Sequence, residues 1–176
     1  MTGLPRADTI RPMSDECSNR AVPWITEEGS LDAAKFPIDG ILQQAVESDQ
    51  RKFESGVAIL RLMHGSGRKE AGVFLMGLLA ASDENWERRL TIVEALRDVQ
   101  TEACARLLFT ELRRVKSSNT TRQYLSGIIK SLAAMPAELV EEEFLALAMD
   151  SSFSHRMRSK FKEATGGNAD FPARWS

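Results

Sequence analysis

The chain has 176 residues, 43% apolar and 27% charged, with 23 Lys/Arg against 25 Asp/Glu for a formal net charge of −2. That size suits one domain with a flexible appendage, and the apolar share suffices for a core that needs no staples. A slightly acidic balance argues against generic attraction to polyanions, which depends on many cationic phosphate contacts.

Residues 1–35 hold Pro5, Pro12 and Pro23, scattered charges and little periodicity, so a flexible or loosely docked N-terminal arm is expected there. Met13 offers an alternative start. Trp24-Ile25 is the apolar anchor of this stretch and is expected to pack on the first hairpin, with a linear motif for a partner as the other reading. From Ile38 onward apolar residues recur at helical spacing. Ile38, Leu42, Ala45 and Val46 make one stripe, and Phe53, Val57, Leu60 and Met63 make the next. Ser48-Asp49 marks the turn between them, and Gly65-Ser66-Gly67 ends the second helix. The pattern predicts further helices near 68–81, 86–99, 101–115, 119–134, 137–149 and 153–164. Eight helices without a convincing strand define an all-α domain over 36–165, followed by a flexible tail at 166–176.

Both helices of a hairpin repeat together. A shift of 33 residues carries Ile38, Leu42 and Val46 onto Ala71, Leu75 and Leu79, and a second equal shift reaches Cys104, Leu108 and Leu112. The same shift maps Phe53, Val57, Leu60 and Met63 onto Trp86, Leu90, Val93 and Leu96. The third unit needs 36, bringing Ile92, Val93, Leu96 and Val99 onto Ile128, Ile129, Leu132 and Met135, as if the polar Lys116–Thr121 loop held three extra residues. A fourth unit follows with Val140, Phe144 and Ala148, and its second helix is the most charged, as suits a terminal repeat whose outer face meets water.

The segment SDENWERRLTIVEALRDVQTEACARLLFTELR, from Ser82, resembles the short bacterial HEAT-like repeat of the phycobilin-lyase type. It has Asp83 in the inter-helix turn, Arg89 six residues later, Glu94-Ala95-Leu96 at a helix end and Leu107-Leu108 in the next first helix. Asp150 and Arg156 recur 67 residues on, two repeats away, whereas the third unit has Lys116 in place of the Asp before Arg122. The resemblance covers roughly residues 38–165. It implies a right-handed α-solenoid of about four hairpins, with the Asp beside a helix N-terminus and the Arg reaching to a neighbouring turn. Tetratricopeptide and ankyrin signatures are absent.

Chemistry is sparse. Cys17 lies in a polar segment and Cys104 in an apolar stripe, so two cysteines form no disulfide framework and a reducing compartment is expected. No run approaches the ~20 apolar residues of a membrane span, and the N-terminus lacks a signal peptide's apolar run, so a cytoplasmic protein is expected. His64 and His155 stand alone, and Gly65-Ser66-Gly67-Arg68-Lys69 follows no strand and reads as a helix stop. Glu141-Glu142-Glu143 point about 100° apart on a helix and suit a solvated face near a helix N-terminus. No catalytic constellation, metal site or cofactor is expected.

Arg88, Arg89, Arg122, Arg156 and Arg158 recur near the starts of second helices, close to Trp86 and Tyr124. Arginine with aromatics is the usual composition of an interaction hot spot. The expected function is therefore a non-catalytic protein-binding module whose concave surface takes a protein partner, an acidic segment being one such ligand, with Trp86, Arg88, Arg122, Tyr124, Arg156 and Arg158 as candidate contacts. An intramolecular Asp–Arg ladder with a core Trp is the competing reading of the same residues. The alternative function is nucleic-acid binding or repair, because some HEAT-like proteins are alkylpurine DNA glycosylases. Against it stand the acidic balance and the lack of a Trp–Asp–Arg set.

Overall fold

A computed structural model describes residues 25–30 and 32–165. The tail at 166–176 and most of the expected arm, including Met13, Cys17 and Trp24, lie outside the described residues. Within them the chain is all-helical. Its elements are α1 (Ile38–Val46), α2 (Gln50–Gly65), α3 (Lys69–Ala81), α4 (Trp86–Ala95), α5 (Glu102–Arg114), α6 (Arg122–Ala133), α7 (Ala137–Met149) and α8 (His155–Thr165). Consecutive helices pair as hairpins. The hairpins stack in two rows, α2 on α4 on α6 on α8 in one, with α1 on α3 and α5 on α7 in the other.

Local chemistry sets the boundaries. Asp49 caps α2 by accepting from Lys52 N (3.0 Å), Asn85 caps α4 through Arg88 N (3.2 Å), and Thr101 caps α5 through Cys104 N (3.2 Å). The stop after α2 is a Schellman turn: Gly67 at φ 94° donates to His64 O (2.9 Å) and Arg68 N to Met63 O (3.0 Å). Two expected helices differ in extent. α4 gives way at Leu96 to a single 3-10 turn, Leu96–Asp98, which keeps Leu96 and Val99 in the core. α6 starts at Arg122 because Thr121 Oγ1 donates to Lys116 O (2.8 Å) and accepts from Ser118 N (2.9 Å), closing a hydroxyl-bonded loop where the extra residues were expected.

One apolar cluster runs through all eight helices, and most repeat-equivalent positions lie in it: Ala71, Leu75 and Leu79, then Cys104, Leu108 and Leu112, then Val140, Phe144 and Ala148. The first helix departs from the pattern. Ile41 and Ala45 are buried, while Ile38 and Leu42 are only half-buried and Val46 is 69% exposed. Gly56 of α2 lies against the Ala45 backbone, where a Cβ would fall 2.6 Å from Ala45 N, so α1 meets α2 along its Ala45 side. Aromatic contacts seal the other end, with Phe109, Phe144, Phe161 and Phe153 in a chain of ring centroids 5.2, 6.1 and 5.3 Å apart. Before α1, Phe36 packs on the core and its carbonyl accepts from Arg68 Nη1, and Ala33, within the stretch expected as an arm, also packs on the core. Ile25 is 44% exposed.

Cys104 sits fully inside, its Sγ 4.0 Å from Leu96 O, and burial pushes its thiol up to about 12. In a Cys17→Ser variant it should stay silent to a thiol-reactive disulfide reagent in native, mildly alkaline buffer and react promptly in denaturing guanidinium. Fast labelling of the native protein would contradict this packing.

Candidate functional site

The arginines of the second helices divide into two groups, and burial separates them. Arg89 of α4 is 2% exposed. Its Nη2 lies 2.6 Å from Glu111 Oε2 on α5, its Nη1 donates to Ser82 O (2.7 Å), and its Nε donates to Tyr124 Oη (3.3 Å) on α6. Tyr124, 1% exposed, donates in turn to Glu111 Oε2 at 2.8 Å, and Arg114 reaches both Glu111 oxygens at 3.1 and 3.0 Å. Burial alone would raise the Glu111 pKa, but the bonds from Arg114, Tyr124 and Arg89 outweigh it and hold the carboxyl below its ordinary range. Burial first, then the bond to Glu111, push the Tyr124 phenol well above its ordinary range, so it remains a donor. Trp86 covers this knot, its ring 5.4 Å from that of Tyr124.

The Asp83–Arg89 pair accordingly works through the backbone. Asp83 Oδ1 accepts from Asn85 N (3.2 Å), as Asp150 Oδ1 accepts from Ser152 N (2.8 Å), and the carboxylate partner of Arg89 is Glu111. Arg88 points toward α2: it donates to Ser48 O (2.5 Å) and Gln50 Oε1 (3.1 Å) and lies 4.6 Å over the Phe53 ring. Arg158 is half-buried, with its Nε enclosed and unbonded. Trp86, Arg88 and Tyr124 are therefore engaged in holding neighbouring helices together, and Tyr124 has no surface to offer a partner.

Arg122 and Arg156 belong to the second group. They line a groove of about 660 Å³ bounded by α4, α6 and α8. On α6, Arg122, Ser126 and Lys130 follow one another at i, i+4 and i+8, and on α8 Arg156 and Lys160 are four apart, so each helix offers one cationic stripe. The opposite side of α6, with Leu125, Ile128, Ile129 and Leu132, is buried, which fixes the direction of its polar stripe. Leu90 and Glu94 of α4 form the other wall. The helices approach closely because Gly127 has no side chain; a Cβ there would fall 2.4 Å from Leu90 Cδ1. Ser131 Oγ, donating to Val93 O at 3.1 Å, locks α6 to α4.

Among the described residues, four cations and one carboxylate, that of Glu94, face this groove. Arg122 Nη2 bonds the neutral Asn119 Oδ1 (3.0 Å), and neither Arg122, Lys130 nor Arg156 has an ion pair among the described residues. Lys160 Nζ donates to Ser126 Oγ at 3.4 Å. Its pKa is lowered, first by burial and then by Arg156, Arg122 and Lys130, whose combined repulsion exceeds the attraction of Glu163. An anionic group entering the groove relieves that repulsion. Lys130, Lys160 and Glu94 were not among the residues expected from sequence. Their signal was the four-residue spacing from Arg122 through Ser126 to Lys130, and from Arg156 to Lys160.

Comparison with protein-family models, with curated proteins and with solved structures gave no match to this chain. Among the described residues no helix is long and apolar enough to cross a membrane.

Proposed function

We propose that this protein is a non-catalytic interaction module. Its four hairpins form a short right-handed α-solenoid of the HEAT-like kind, and the α4–α6–α8 groove on its concave side takes an acidic segment of a protein partner. The observation that carries this reading is the convergence of Arg122, Lys130, Arg156 and Lys160 on one groove, the first three without a carboxylate partner among the described residues. Cations held close together without counter-charges cost folding energy through mutual repulsion, which an anionic ligand offsets. The groove belongs to helices whose other faces are core, so it is preformed and loses little freedom on binding.

A protein segment fits better than a nucleic acid. The lining offers Ser117, Ser126, Ser154 and Gln123 as hydrogen-bond partners and no aromatic ring for base stacking, and Glu94 opposes a continuous phosphate backbone. Binding of a fluorescein-labelled, glutamate-rich peptide, followed by anisotropy at low salt, tests this. The Arg122→Glu/Arg156→Glu variant should bind at least roughly tenfold weaker, with a melting temperature no lower than that of the wild type, because both side chains are exposed and the exchange removes their repulsion of Lys130 and Lys160. Unchanged peptide affinity in the variant would refute the assignment. So would tighter, steeply salt-dependent binding of an oligothymidylate.

A further inference from the structure

A second concavity, of about 650 Å³, lies between α2 and α4. Val57 and Ala95 form its floor, and Leu62, 58% exposed, stands at its edge. Its ionisable lining is Glu54, Arg61, Glu94 and Asp98. Arg61 is already matched, its Nε 2.6 Å from Asp98 Oδ2. Glu54 accepts only from the neutral amide of Gln50 (2.7 Å), and Glu94 has no cationic partner among the described residues. Glu94 also lines the cationic groove, so the two concavities adjoin.

We infer that together they form one bipolar track, which takes an extended segment with acidic residues at one end and an apolar residue among basic ones at the other. The acidic end lies over Arg122, Lys130, Arg156 and Lys160, a basic residue meets Glu94 at the junction, and beyond it the segment sets an apolar residue against Leu62 and a further basic one against Glu54. This deepens, and rests on, the reading that the groove binds a protein segment. Glu54 and Glu94 supply discrimination: a uniformly acidic chain crossing the whole track meets like charge at α2 and α4, and like-charge contacts are an effective way to reject a wrong partner. Three helix-to-helix steps of about 8–10 Å separate α2 from α8, a span of roughly 27 Å covered by about eight extended residues. A second copy of the chain could match the charges in antiparallel fashion, but concavity facing concavity leaves the interface unfilled.

The test uses the full chain and three labelled probes of equal length: an acidic–apolar–basic peptide, a peptide with acidic residues at both ends of the same apolar centre, and an oligothymidylate. The wild type should prefer the bipolar peptide by about tenfold or more, and the Glu54→Lys/Glu94→Lys variant should invert the preference. Both substituted side chains are exposed, and a matching melting curve verifies the fold. If the wild type binds both peptides equally or favours the doubly acidic one, or if the variant keeps the wild-type preference, the bipolar track is wrong while the cationic groove stands. If neither peptide binds, or the oligothymidylate binds tightest, both readings fail. A dimer seen by sedimentation and lost in the variant would assign the track to a second copy and overturn the inference.

Discussion

Replacing Glu111 with alanine should lower the melting temperature by roughly 10–15 °C, the largest effect expected of any single polar substitution in this chain. Arg89 is the cause. Its guanidinium is 2% exposed and faces one carboxylate, a phenol and two backbone carbonyls, and only the carboxylate carries charge. Removing one partner of a buried pair costs about 3–5 kcal/mol, because the other is left charged in a medium that solvates it poorly. Replacing both with apolar groups avoids that penalty, so Arg89→Met/Glu111→Leu should recover much of the loss, and thermal denaturation of the three variants measures the coupling. A drop of only ~2–3 °C in the single variant would mean that the pair contributes little.

The same carboxylate predicts a pH dependence. Glu111 is held below its ordinary value of 4.5 in the folded chain, so its contribution is complete above that value and is lost as pH falls through the depressed folded value. Glu111→Gln lacks this titration. The stability gap between wild type and Glu111→Gln should therefore be widest near neutrality and narrow below about pH 4.

The fold is legible in the sequence where the determining information is local. Helix positions were legible because periodicity and caps such as Asp49 and Gly67 act over a turn or two. The start of α6 was not, because it depends on the hydroxyl bonds of Ser118 and Thr121. Among the candidate contacts, Arg122 and Arg156 were legible as groove residues from their place on second helices. Trp86 and Tyr124 misled for a physical reason: arginine with aromatics has the same composition whether the cluster faces a partner or the core. The deciding residue is Glu111, 22 positions from Arg89 and 13 from Tyr124, on a helix whose own apolar stripe gives no hint of it. Lys160 and Lys130 lie one and two turns beyond Arg156 and Arg122 on the same stripes, so a place at a helix start does not mark them.

Gly56→Ala sets two backbone effects against each other. Alanine in place of glycine inside a helix is favoured by about 0.8–1 kcal/mol, and α2 is a sixteen-residue helix with Gly56 near its middle. Yet a Cβ at Gly56 would stand 2.6 Å from Ala45 N and 2.9 Å from Ala45 Cα. These are main-chain atoms of α1 and cannot swing aside as a side-chain tip can, so α1 must lift from α2. α1 is the element least able to resist. It has nine residues, no side-chain cap at its N-terminus, and only Ile41 and Ala45 fully buried. Overpacking costs typically about 1–3 kcal/mol, and here it exceeds the propensity gain, for a net melting-temperature loss of several degrees. The loss should be local, with amide exchange accelerating across 38–46 while α5–α7 keep their protection. Gly77→Ala provides the control: nothing lies within 4 Å of a Cβ there, so only the propensity term operates and the melting temperature should rise. If both substitutions stabilise, α1 does not rest on α2 through this contact.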